Sequence, residues 1–213
     1  MNLRALLVIA LLAGVAGWWF SDHRRSLRAP PAASGESPAC PLPPRVATGE
    51  PPLQSDVPDD LPPFALEAAT LMPLAGFSLE ARVLSRKDYR SGREAALSPV
   101  DLALGWQRME EDAVIEALDI RQSSRWYHYR WRDQPPLPTD EILGSSANMH
   151  MIPGNDGVAQ ALADVRKDER VRIDGWLVEA KAEDGWRWRS STRRTDTGSG
   201  ACELVYVCGV TRL

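Results

Sequence analysis

Cysteine, histidine and phenylalanine are scarce, three of each among 213 residues. Of the cysteines, Cys40 falls in a proline-rich stretch, and Cys202 and Cys208 share one predicted strand, about 20 Å apart if that strand is continuous. A disulfide framework is therefore not expected, and Cys202 and Cys208 would pair only across a break in the strand. No His-x-x-x-His pair or tight Cys-His cluster is present, so no metal ligand set and no cofactor are expected. Gly-x-Ser-x-Gly is absent as well, which removes the simplest hydrolase signature. A basic excess is also missing: 25 Lys and Arg stand against 29 Asp and Glu, a net charge of −4. That balance argues against general nucleic-acid binding. Hydrophobic content of 44% and charge of 25% are ordinary for a globular protein. Tryptophan is plentiful, with six of the eight between Trp106 and Trp188. Each can bury roughly 150–250 Å² in a core.

Residues 1–25 read as a signal-anchor or transmembrane segment. The uncharged run Ala5 to Phe20 would span about 24 Å as a helix, slightly short of the ~30 Å hydrocarbon core. Leu3 and a snorkelling Arg4 extend it, and Trp18, Trp19 and Phe20 sit where an aromatic belt would lie. A cleaved secretory signal competes, since Gly14-Val15-Ala16 offers small residues at a cleavage site. No cysteine stands at a lipoprotein position. Arg24, Arg25 and Arg28 after the span would by the positive-inside rule keep the C-terminal part in the cytoplasm. A short apolar segment followed by a long domain behaves as an export signal instead. The expectation is a single-pass protein of the bacterial inner membrane with a periplasmic C-terminal domain.

Residues 26–63 are dense in Pro, Ala, Ser, Gly and Asp with no apolar period, and read as a disordered linker that spaces the domain from the membrane. Residues 64–213 read as one globular α+β domain. Strands are expected at Phe64 to Met72 and over Phe77 to Val83, where alternation is clean. Ser98-Pro99-Val100-Asp101 resembles a helix start, with the helix running to Trp106. Further helices are expected at Asp112 to Leu118, from Thr139 to near Ser146, and from Asn155 to Val165. Strands follow at Ser124 to Trp131, Arg170 to Lys181, Trp186 to Ser191 and Ala201 to Val210, with a hairpin at Asp184-Gly185. About six strands with segregated helices give α+β. The strand through Gly175 has the form found where an OB-like small barrel bends.

Four phrases stand out together: Leu97-Ser98-Pro99-Val100-Asp101-Leu102-Ala103-Leu104-Gly105-Trp106, Trp126-Tyr127-His128-Tyr129-Arg130-Trp131, Ser145-Ser146-Ala147-Asn148-Met149-His150-Met151-Ile152-Pro153, and Gly185-Trp186-Arg187-Trp188-Arg189-Ser190-Ser191. With them the chain resembles a family of small bacterial membrane-anchored or exported proteins of unassigned function, over roughly Leu53 to Leu213. The resemblance implies export and a single domain, and no activity.

Candidate chemistry rests on few residues. His128 and His150 could supply a general base or metal ligands, with Ser146 or Asn148 nearby, in a hydrolase or metal-dependent enzyme. Their structural alternatives are packing among strand aromatics and turn hydrogen bonding. Arg187 and Arg189 alternate with Trp186 and Trp188. With Trp126 they could grip an anion or glycan, unless they are only a solvated face. Arg121, Arg125, Arg130 and Arg132 flank the other aromatic strand. Asp101 and Asp174 are explained by helix capping and by neighbouring arginines. The preferred reading is a non-enzymatic binding or accessory module of the envelope, whose partners are the membrane, through the N-terminal helix, and an envelope protein or an anionic or glycan ligand.

Overall fold

The computed structural model describes residues 9–14, 26–193 and 201–213. It is a mixed α+β fold with ten strands and a few short helices among those residues. The strands are β1 (Leu53–Ser55), β2 (Phe64–Ala65), β3 (Thr70–Asp88), β4 (Val100–Gly105), β5 (Asp119–Ser123), β6 (Trp126–Arg130), β7 (Ser146–Pro153), β8 (Arg170–Lys181), β9 (Arg187–Arg189) and β10 (Glu203–Arg212). The helices are α1 (Arg93–Leu97), α2 (Asp112–Glu116), α3 (Thr139–Gly144) and α4 (Asp156–Asp164).

Eight strands form one sheet, in the order β1-β3-β4-β7-β10-β8-β9 with β2 on β3. β3 also pairs with β8, so the ladders β3-β4-β7-β10-β8 return to their start. All of these pairings are antiparallel except β7 with β10. The length of β3 makes the circuit possible: Thr70 to Arg82 pair with β8, and Arg82 to Asp88 pair with β4. The two strands expected from Phe64 to Val83 are therefore mostly one. Pro73, which cannot donate to a ladder, is accommodated at a register shift between Pro73 and Ala75. Inside the circuit lie Phe77, Leu79, Leu102, Met149, Ile173 and Val205, with Val158 and Leu162 of α4 against them. Asn155 caps α4 by accepting from the Val158 N–H at 3.0 Å. Gly175 lies where β8 crosses β10 so closely that a Cβ would collide with the Tyr206 carbonyl, the close approach that glycine permits.

The helix expected from Ser98 to Trp106 is instead strand β4. All six of its residues are buried and bonded to β3 on one side and β7 on the other. A short, fully buried apolar run carries no period that separates strand from helix. The Ser98 N–H closes α1 by donating to the Glu94 carbonyl, so Ser98 ends a helix rather than starting one. β5 and β7, not foreseen as strands of this length, raise the strand number above the expected six.

Residues 26–63 are not a free spacer. Cys40 is joined to Cys208 by a disulfide, a pairing outside the expectation of no disulfide framework, in which only Cys202 and Cys208 stay open to pair. Trp176 Nε1 donates to the Pro41 carbonyl at 2.9 Å, and the Val46 N–H donates to Ser78 Oγ at 2.9 Å. Arg45 lies 3.3 Å from buried Asp174, and β1 pairs with β3. Earlier still, Leu27 packs on the interior cluster, and the Ala29 N–H donates to Asp156 Oδ1 at 3.1 Å. Proline here supplies a stiff strap that needs few hydrogen bonds of its own, not a solvated coil. Most of the expected membrane segment, residues 1–25, lies outside the described residues. Residues 9–14 are helical and exposed, and among the described residues no helix is long and apolar enough to cross a membrane.

Candidate functional site

The outer face of β4 and β7 carries a polar floor. Alternation sends Val100, Leu102, Leu104, Met149 and Met151 inward, so Asp101, Asn148 and His150 face out. Asp101 stands opposite His150 and Ala103 opposite Asn148 in the ladder. Asp101 is wholly buried, and its Oδ1 lies 2.9 Å from His150 Nδ1. The contact is off the hydrogen-bond direction, so it is a close electrostatic approach and Nδ1 has no hydrogen-bond partner. Asn148 Nδ2 donates to Asp101 Oδ2 at 3.4 Å and to the Arg125 carbonyl at 3.0 Å, and its Oδ1 accepts from Gln122 at 2.6 Å.

The β5–β6 hairpin folds over this floor and inserts Arg125. Its Nη1 donates to Asp101 Oδ1 at 2.8 Å and its Nη2 to the Ser98 carbonyl at 2.9 Å. The guanidinium lies 4.0 Å from the Tyr89 ring centroid and 5.2 Å from that of Trp188. Both electrostatic attraction to the rings and the buried carboxylate hold it. Ser124 and Arg125 make the two-residue hairpin turn with φ of 49° and 65°. Neither is glycine, so the conformation is unfavourable and must be held by the contacts of Arg125. The Arg125 N–H completes them by donating to the Tyr89 hydroxyl at 3.0 Å. Burial, and then the charge of Asp101, push the Tyr89 hydroxyl above its usual pKa.

The wall opposite is β9 with the turn before it. Trp188 packs on the His150 ring at 4.8 Å, and Trp186 meets Trp188 edge-on at 6.1 Å. Arg93 covers Trp186 at 4.6 Å while donating to both oxygens of Asp184 at 2.7 Å. That pairing lowers the Asp184 carboxyl to about 2. Arg187 and Arg189 point outward. Arg189 Nη1 donates to Glu179 at 3.2 Å, and Lys181 lies 3.1 Å from the same oxygen. Burial of Glu179 works against its ionisation, yet Lys181 and the two arginines outweigh it and hold the carboxyl below its usual range. Between this wall and the hairpin tip opens a cleft of about 710 Å³, lined by Tyr89, Arg125, Trp126, His150, Arg187, Trp188, Arg189 and Cys202 among others. Clefts of about 770 and 760 Å³ lie at the hairpin base and beside the strap, and neither has a comparable buried polar floor.

Trp126, 40% exposed, and Arg187 and Arg189 thus share one concave surface, as an anion- or glycan-binding site requires. The two histidines do not meet. Alternation on β6 turns Tyr127 and Tyr129 toward the core and leaves His128 exposed, with Nε2 3.3 Å from Ser123 Oγ, whereas His150 is buried beneath the hairpin. Ser146 Oγ donates to the Ile142 carbonyl at 2.7 Å and accepts from the Tyr127 hydroxyl at 3.4 Å, with no base beside it. Asp174 is far from Asp101 in the fold, held by Ser78 and Arg45. Among the described residues no group of three or more His, Cys, Asp or Glu could hold a metal ion. Tyr89 has no place in the sequence reading, Arg125 enters it only among the arginines flanking the aromatic strand, and Asp101 only as a helix cap, which strand β4 replaces. The one available signal was that the four phrases of the resemblance supply Asp101, Trp126, Asn148, His150 and Trp188, which the fold gathers at this cleft. No family model, curated protein or solved structure matches the chain.

Proposed function

We propose that the protein is a membrane-tethered, non-enzymatic binding module of the bacterial envelope that takes an anionic glycan in the cleft beneath the hairpin tip. The circuit β3-β4-β7-β10-β8, with its single parallel pair and α4 between β7 and β8, supports reading the domain as an OB-like small barrel. Such barrels bind oligonucleotides and oligosaccharides on the face of their second and third strands and with the loops joining strands one to two and four to five. Here those are β4 and β7, the loop bearing Tyr89, and the segment bearing Arg187, Trp188, Arg189 and Cys202. The Cys40–Cys208 disulfide supports an oxidising compartment and hence export.

One observation carries the ligand class: exposed Trp126 and outward Arg187 and Arg189 open onto a cleft whose floor is held largely by its own hydrogen bonds, with His150 Nδ1 left without a partner. Aromatic faces stack on the apolar faces of sugars, and arginine forks match carboxylates. Glu94 and two serines also line the cleft, and the chain is acidic overall. Hydroxyl-rich sugars are served by such mixed donors and acceptors, whereas a phosphate chain wants a groove of one sign. The enzyme reading built on two histidines has no such support.

The test is a titration of the full chain with a uronic-acid oligosaccharide, its neutral counterpart and oligothymidylate, followed by tryptophan fluorescence. Saturable binding of the acidic sugar, weakened about tenfold or more by Arg187→Ala with Arg189→Ala and by Trp126→Ala, is the expected result. Equal response to the neutral sugar, or preference for oligothymidylate, would overturn the ligand class.

A further inference from the structure

We infer that the strap of residues 27–48 keeps the barrel within about 25 Å of the end of the membrane anchor, with the first turn of α4 and the Leu66 corner as the tethered end. This rests on the reading of residues 1–25 as a membrane anchor and adds to it the distance and the tethered end. A free linker over residues 26–63 would give roughly 130 Å of contour and let the cleft sample a broad shell above the membrane. The structure removes nearly all of that length. Leu27 is packed on the interior cluster, the Ala29 N–H is bonded to Asp156, and Ala32 forms a bridge with Leu66. The Glu67 N–H donates to the Pro31 carbonyl at 2.9 Å and the Ala33 N–H to the Ala65 carbonyl at 3.2 Å. Farther along, the Cys40–Cys208 bond, the Trp176–Pro41 hydrogen bond and the β1–β3 pairing fix the remainder.

Six residues lie between Phe20 and Leu27, and the seven Cα-to-Cα steps from one to the other reach about 25 Å when fully extended. Whatever path they take, the chain meets the barrel within that distance of the anchor's end. The attachment point is set by Asp156 at the start of α4 and by Leu66, so this end of the barrel is the tethered one. The cleft, on the outer face of β4 and β7, is then confined to a bounded distance from the membrane, and its ligand must lie within reach of that surface.

The experiment places a fluorophore on exposed Gln160 of α4 through a bioorthogonal residue, in the full chain reconstituted in phospholipid vesicles with acceptor-labelled headgroups. A companion protein carries 30 Gly/Ser residues inserted between Arg25 and Ser26, which adds about 30 Å of root-mean-square reach. Flotation first reports whether the chain is on the vesicles at all; failure to float would sink the anchor reading itself. If the chain floats, energy transfer well above that of the insertion protein is expected. Equal transfer from the two would show a loosely tethered barrel and overturn the strap inference while leaving the anchor intact.

Discussion

Replacing Arg125 by methionine keeps most of the side-chain stem and removes the charge, so it isolates what the guanidinium does. Asp101 has no exposed surface, and the Arg125 side chain is only 16% exposed. Without the guanidinium, Asp101 retains Asn148 at 3.4 Å and the off-axis approach of His150. Breaking a buried ion pair from one side costs about 3–5 kcal/mol, because the remaining charge is stranded. Loss of the contacts with Tyr89 and Trp188 adds about 0.5–1 kcal/mol each. A net loss of about 4 kcal/mol or more is therefore expected. Asp101→Asn should cost less, about 2 kcal/mol, since the orphaned guanidinium can turn toward solvent. The double variant should then recover about 2 kcal/mol relative to the sum, the coupling of a buried contact pair. Urea unfolding with linear extrapolation measures all three, with the slope of each required to match the parent. If Arg125→Met costs under about 1 kcal/mol, or if the two changes add within about 0.5 kcal/mol, the hairpin tip is not held by this pair. The cleft would then lack the rigid floor on which its proposed use depends.

Removing the disulfide with Cys40→Ser and Cys208→Ser releases a loop of sequence separation 168, for which chain entropy sets a ceiling of about 5 kcal/mol. A fall of about 2–4 kcal/mol in denaturant stability is expected, and a change too small to resolve would mean that the strap's other contacts fix it unaided. At alkaline pH the tyrosines dominate: burial raises both Tyr127 and Tyr206 from 10.0 to about 12. Their protonated forms are favoured in the folded state, so the contribution is whole below pH 10 and disappears as pH rises toward 12. Stability followed by circular dichroism should fall across that window, and Tyr127→Phe with Tyr206→Phe should flatten the fall. An unchanged slope would show that neither phenol is buried as described.

Parts of this fold could be read from residues alone, and the reason is local. β8 alternates over its first five residues, Arg170 to Asp174, and leads into an Asp-Gly turn, and α4 begins at an asparagine whose side chain caps it. Each carries its own start and stop signals within a dozen residues. The alternation of Trp186, Arg187, Trp188 and Arg189 likewise separated an inward aromatic face from an outward basic one. What escaped the sequence depends on partners far along the chain. β4 is a strand because β3 and β7 flank it, and nothing within Val100–Gly105 says so. Cys40 looked unpaired because its partner lies 168 residues away behind a stretch whose composition is that of a solvated coil.

Arg125 is the sharpest case, because an arginine at a hairpin tip has every local reason to point into water. It turns inward because β4 presents a buried carboxylate, the end of β3 a phenol and β9 an indole, three elements that meet only after the circuit closes. The φ angles of Ser124 and Arg125 show the direction of causation. A turn chosen for local stability would place Asn or Gly there. Serine and arginine are held in that conformation by contacts made at long range, so the site shapes its own turn. Arg125→Gly separates the two influences, since glycine eases the turn while removing the anchor. If the hairpin tip, followed by hydrogen exchange of the Ser123 and Trp126 amides, becomes more protected than in the parent, local turn strain outweighs the buried pair. The expected result is faster exchange, because easing the turn returns about 1 kcal/mol and losing the pair costs several times that.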